Sequence, residues 1–264
     1  MTAITSTPAA GVYSVGFLPG FGGLLRKELT EWRRGRRTWI VFLISAGFMA
    51  LIAVNAWLQI SFAEGTGADP VPASALDPFM NLVTAVSGQI FLIAAVFAVM
   101  ATITAERESG TLAWTASKPV SRHAIWLAKF SAATLVLWVV AGVIPLATTA
   151  ALIVALYGPL AVGAILVIAA GVGLALAFYV AVALAAGTAF TSQAAVAGTT
   201  LAVMFLPQVL GLVIPLELLP TSILEWSLAA ASGQPAGLLT PVVWAVAASA
   251  LVLIATRRLE RLEL

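Results

Sequence analysis

ERESGTLAWTASKPVSR, Glu106–Arg122, is a polar interval in an apolar chain. Five charged side chains fall within it (Glu106, Arg107, Glu108, Lys118 and Arg122), although only 9% of the 264 residues are charged. Long uncharged runs flank it on both sides. Such a segment reads as a surface loop between two membrane-crossing helices, and the side it lies on sets the layout of the remainder.

The rest of the composition agrees. The chain is 61% hydrophobic with a mean hydropathy of +1.06, whereas a soluble domain carries roughly 25% charged residues. Lipid can solvate most of these side chains, so the fold class is an all-α membrane protein. There is no cysteine, which excludes disulfides and thiolate metal sites. The pI near 9.3 does not imply nucleic acid, because the basic residues are placed by membrane topology. No Lys or Arg precedes Arg26, so no positively charged n-region of a cleaved signal is present. Residues 1–20 read as a loose or surface-lying tail.

A hydrocarbon core about 30 Å thick needs roughly 20 helical residues. Six runs qualify: about 39–60, 81–104, 124–156, 160–187, 194–214 and 238–256. They are continuous rather than alternating, which favours helices over barrel strands. Pro145 and Pro207 are candidate kinks in the third and fifth runs. All 13 Lys and Arg fall on one side of this six-span layout, whereas Glu64, Asp69, Asp77, Glu217 and Glu225 occupy the other. The positive-inside rule then puts both termini, and residues 106–122, in the cytoplasm.

Two further helices are expected. In FGGLLRKELTEWRRGRR, residues 21–37, a turn of about 100° per residue puts Phe21, Leu24, Leu25, Leu29 and Trp32 on one face. This predicts an amphipathic helix in the headgroup layer that turns into the first span near Gly35. Glu28 projects into the apolar stripe and requires a polar or cationic partner. Within residues 215–237, SILEWSLAAA has helical spacing but is too short to span, which predicts a short outer helix between spans five and six.

Catalytic patterns are missing from the sequence. There is one histidine, His123, with no H-E-x-x-H, no G-x-S-x-G and no P-loop. Of the Asp, Glu, Lys and Arg residues only Lys129 lies inside a span, where it can snorkel toward the cytoplasmic surface. The neutral polar residues Asn55, Gln59, Thr84, Ser87, Gln89 and Gln208 either line a substrate path or bond helix to helix. A bundle of this kind contains no energy source of its own.

In residues 106–122, Ser109-Gly110-Thr111 reads as a turn or helix start, Leu112-Ala113-Trp114 as an apolar surface, and Ser121 as the cap of the next helix. ERESGTL, a short spacer, KPVSR and AIWLAKF together resemble the first cytoplasmic loop of the six-span permeases of type-two ABC exporters. RKEL, Arg26–Leu29, resembles the connecting helix ahead of their first span. The resemblance implies a coupling helix in the 106–122 loop that docks on a separate ATP-binding subunit. It assigns these contacts to Glu106, Arg107, Glu108, Gly110, Thr111, Leu112, Lys118 and Arg122, with Arg26, Lys27, Glu28 and Trp32 in the connecting helix. Arg107 and Arg122 are the expected partners of Glu28.

The resemblance further implies two copies of the ABC ATP-binding subunit, a second permease that is identical or related, and a bacterial inner (plasma) membrane. No cofactor belongs to this chain, since ATP and Mg are bound by the partner, and no metal or nucleic acid is expected. The uncharged bundle favours export of an amphipathic or hydrophobic, drug- or lipid-like cargo. The alternative is a membrane scaffold or assembly factor without a transport cycle.

Overall fold

A computed structural model describes residues 18–66, 75–87, 90–111, 120–211, 213 and 219–261. Most of the N-terminal tail, and residues 67–74 and 112–119, lie outside the described residues. Ten α-helices are described. They are α1 (Phe21–Arg34), α2 (Arg36–Thr66), α3 (Leu76–Ser87), α4 (Ile90–Glu108), α5 (Arg122–Leu137), α6 (Ile144–Tyr157), α7 (Val162–Ala189), α8 (Gln193–Leu210), α9 (Ser222–Ala231) and α10 (Leu239–Arg261). A π-helical segment, Trp138–Val143, joins α5 to α6. The described residues contain no strand.

Four stretches are long and apolar enough to cross a membrane: Arg36–Leu58, Arg122–Tyr157, Val162–Ala189 and Leu239–Arg258. They coincide with the expected spans one, three, four and six. The run expected as one span at 81–104 is covered by two helices, α3 and α4, on either side of residues 88 and 89, which are outside the described residues. Ser87-Gly88 is a weak point for a helix, since glycine costs about 1 kcal/mol relative to alanine there. The fifth run is α8, 18 residues long, or about 27 Å. SILEWSLAAA forms α9.

Pro145 does more than bend its helix. It offers no N–H, and its ring crowds the carbonyl four residues earlier. The chain answers with the wider turn of Trp138–Val143, where the Ile144 N–H donates to the Val139 carbonyl. Pro145 thereby falls in the first turn of α6, where an N–H has no intrahelical partner to lose. Pro207 stays inside α8, which continues to Leu210.

The hub of the bundle is α7. Helices α4, α5, α8, α9 and α10 all pack on it, and its C-terminal half is buried almost continuously from Phe178 to Leu184. Small residues set the approach. A Cβ on Gly171 would overlap Ser227 Cβ of α9, so the Ser227 side chain sits on α7 where a side chain is missing. Trp138 of the π segment lies across α7 and donates from Nε1 to the Ala169 carbonyl at 2.9 Å. A Cβ on Gly173 would meet that nitrogen at 2.8 Å. Phe178 stacks edge-on with Trp244 of α10 at 5.0 Å, and Trp244 Nε1 donates to Ser222 Oγ at 3.1 Å.

Candidate functional site

The residues flanking the 106–122 segment meet α1 at two levels. The lower level is a glycine contact. Gly20 precedes α1 with φ +84°, and a Cβ there would lie 2.5 Å from Val120 Cγ1. Only a residue without a side chain permits both the left-handed backbone and that approach. Val120 is immediately followed by Ser121, whose hydroxyl accepts from the Ala124 N–H at 3.0 Å and caps α5 as the sequence predicts.

The upper level is ionic. Lys129 Nζ donates to Glu28 Oε1 at 2.9 Å and to Glu106 Oε1 at 2.5 Å. The lysine is 5% exposed and Glu28 is 6% exposed. A charge at that depth persists only when it is paired and hydrogen-bonded, and here buried Glu28 and half-buried Glu106 face the same ammonium. Glu28 therefore has the cationic partner it requires, but the partner is Lys129. Lys129 takes the place expected of Arg122 opposite Glu28, and its ammonium is buried where the sequence allowed it to snorkel to a surface. The reason is geometric: Lys129 is two turns inside α5 and faces α1, whereas Arg122 is the first residue of α5. The Arg107 side chain is outside the described residues.

The two levels are separated by eight residues in the N-terminal segment and nine in the other chain segment, or about 12–13 Å of helix. The start of α5 thus runs beside α1 in the same sense. The continuous stretch Arg122–Tyr157 has 36 residues, about 54 Å, well beyond an apolar core of about 30 Å. Leu24, Leu25 and Leu29 pack against the protein core, and Trp32 is buried. The apolar face of α1 is thus turned toward the protein core, with Leu24, Leu25 and Leu29 partly buried.

At its C-terminal end α1 turns into α2 at Gly35, as the sequence predicts. Gly35 has ψ 138° and its N–H donates to the Trp32 carbonyl. The Thr38 hydroxyl donates to the same carbonyl at 2.5 Å. A cleft of about 390 Å³ opens between this turn and the end of α4, lined by Glu28, Glu31, Trp32, Arg36, Glu106 and Ser109. Carboxylate oxygens of Glu28, Glu31 and Glu106 come within 4.8 Å of one another. Lys129 bonds two of them with its one ammonium, and Lys27 Nζ is 3.3 Å from Glu31 Oε1. The cluster is an internal ion network.

The α4 helix ends in a turn. The Ser109 N–H donates to the Ala105 carbonyl at 3.0 Å, and Gly110 takes φ +69°, the left-handed stop favoured after a helix. The hydroxyls of Ser109 and Thr111 share a hydrogen bond of 2.8 Å. Glu108 and Gly110 are exposed, and Thr111 begins the next helical residue. Leu112 and Lys118 are outside the described residues. In α1, Lys27 and Glu31 form a surface pair, while Arg26 has its backbone carbonyl bonded by the Thr30 hydroxyl at 2.7 Å.

The neutral polar set is less informative. Asn55 and Thr84 are exposed, and Thr84 donates its hydroxyl to the Met80 carbonyl at 2.9 Å in its own helix. The side chains of Gln59, Ser87, Gln89 and Gln208 are outside the described residues. Sequence reasoning missed Gly20, Val120 and the pairing role of Lys129. A buried-charge search over the spans finds Lys129, but only the packing supplies its two partners.

The geometry is that of a mechanical junction: helices on both sides of a polar loop are fixed to one preceding helix. The family model described as ABC-2 family transporter protein matches residues 23–256, from the first turn of α1 to near the end of α10. No curated protein matched the chain. Lacking a nucleotide-binding motif and matching over most of its length, the chain belongs to the ABC-2 transporter family as a type-two ABC permease subunit.

Proposed function

We propose that this permease is the membrane half of an ATP-driven exporter, coupled to two separate ATP-binding subunits through residues 106–122. The observation that carries this reading is Lys129, which holds Glu106 at the entry of the loop and Glu28 of α1 on one ammonium. Displacement of the loop by a docked ATPase is thereby passed to α1 and, across Gly35, to α2. Exposed Glu108 and Gly110 offer the docking face, continued by Arg107, Thr111, Leu112 and Lys118, and Arg122 begins the return helix.

In this reading α3 and α4 together form the second of six spans, α8 forms the fifth, and both termini are cytoplasmic. The chain lies in a bacterial inner membrane with a second permease, identical or related. Its cargo is amphipathic or hydrophobic, which suits walls carrying almost no charge. Asn55, Gln59, Thr84, Ser87, Gln89 and Gln208 are the polar residues along the cargo path.

Purification from native membranes in mild detergent, followed by an ATPase assay of the eluate, tests the proposal. The wild-type chain is expected to bring down a P-loop ATPase. Glu108→Arg with Leu112→Asp is expected to lose it while remaining folded, since Glu28, Glu106 and Lys129 are left in place. Recovery of the chain without any ATPase, under conditions that preserve other membrane complexes, would favour a scaffold instead.

A further inference from the structure

An open groove of about 620 Å³ runs between α7, α8 and α10, away from the Lys129 junction. On α7 it extends from Phe178 to Ala189, with Phe190 just beyond, and on α10 from Ala247 to Arg258. Eleven or twelve helical residues correspond to about 16–18 Å, close to one leaflet of a core about 30 Å thick. The walls are almost wholly apolar. Two threonines are present, but Thr188 donates to the Ala185 carbonyl at 2.6 Å and Thr199 to the Ala195 carbonyl at 2.8 Å. Their hydroxyl hydrogens are directed along their own helices.

That leaves Arg258 at one end as the polar group available to a ligand. It is exposed, and among the described residues it has no ion-pair partner. An apolar trough one leaflet long with a single guanidinium at its end matches an acyl chain attached to a phosphate. Guanidinium binds phosphate oxygens in a two-pronged geometry. Free phosphate would use the arginine but leave the trough unexplained. We propose that this groove holds one anionic phospholipid, its acyl chain between α7 and α10 and its phosphate on Arg258. The groove stands without the transport reading; only the assignment to the cytoplasmic leaflet rests on the topology proposed above.

The test uses the full chain with whatever subunits accompany it. It is equilibrated with mixed micelles of palmitoyl-oleoyl phosphatidylglycerol and phosphatidylcholine in equal amounts, and bound lipid is counted by native mass spectrometry. One phosphatidylglycerol per chain is expected to survive and to be preferred. Arg258→Gln is expected to lower that preference about fivefold. Arg257→Gln removes an equal charge one residue away, outside the groove lining, and is expected to leave the preference intact.

Equal losses from the two arginine variants would reduce the effect to general surface attraction and overturn the proposal. Displacement of the lipid by inorganic phosphate alone would do the same. Ala250 lines the groove, and the chain has no cysteine of its own. In Ala250→Cys, a bulky thiol reagent added after folding is expected to expel both lipids. Retention of lipid after complete modification, or a disulfide at this position between two copies, would show that something other than lipid fills the groove.

Discussion

Two contacts hold this permease together by opposite means. At the junction of α1, α4 and α5, Lys129 is buried between Glu28 and Glu106. On the far side, α7 meets α9 and the π segment where side chains are missing, at Gly171 and Gly173. The first contact depends on groups that must all be present, because a buried charge without its partner is costly. The second depends on groups that must all be absent, because van der Waals packing supplies the attraction and any added carbon separates the backbones. A charge network therefore tolerates coordinated neutralisation, whereas a small-residue seam tolerates only a compensating deletion.

The largest expected effect tests the first half of that contrast. Lys129→Met leaves two carboxylates facing each other in the interior and should cost about 3–5 kcal/mol, read as a lower thermal midpoint of the detergent-solubilised chain by tryptophan fluorescence. Adding Glu28→Gln and Glu106→Gln to the same chain should recover most of the loss. If the triple variant is no more stable than Lys129→Met, the network is not what makes the lysine necessary. ATPase coupling in that triple variant sharpens the mechanical reading: a folded, ATPase-bound complex in which ATP hydrolysis no longer drives transport is the expected result.

Next comes the seam. Gly171→Ala should cost about 1–3 kcal/mol through overpacking against Ser227, and Ser227→Gly in the same chain should return part of it. Additive losses in the double variant would mean that the two residues do not set the approach of α7 and α9. Smaller still, Trp138→Phe removes the bond to the Ala169 carbonyl and should lower stability by about 1 kcal/mol. The least effect is expected from Lys27→Ala. Its pair with Glu31 is at the surface, with side chains 39% and 54% exposed, and should be worth about half a kcal/mol or less. A loss comparable to that of Lys129→Met would show that Lys27 belongs to the buried network after all.

Much of this could be read in the amino-acid order. The turn at Gly35, the Ser121 cap, the SILEWSLAAA helix and the need of Glu28 for a cation all follow from local chemistry. Helix lengths and caps depend on residues a few positions apart, so a linear reading finds them. The same reading placed Arg107 or Arg122 opposite Glu28, because they are the basic residues nearest the loop that resembles a coupling segment. The run 81–104, expected as one span, is covered by α3 and α4 on either side of residues 88 and 89. The linear reading also allowed Pro145 a simple kink, where the chain forms a π-helical turn that restores the hydrogen bonding around it.

The sequence alone determined that the chain is helical and membrane-embedded, where its apolar runs lie, and that residues 106–122 are a polar break between two of them. These properties are sums over neighbouring residues, fixed by transfer free energy and by the need to satisfy each backbone group within its own helix. Tertiary structure decided which cation answers Glu28, that Gly20 must be bare for Val120, and that Gly171 and Gly173 are the seats of Ser227 and Trp138. Glu28 and Lys129 are 101 positions apart, and no local periodicity relates them. Their pairing emerges only when the α1 and α5 helices lie side by side and water leaves the space between them.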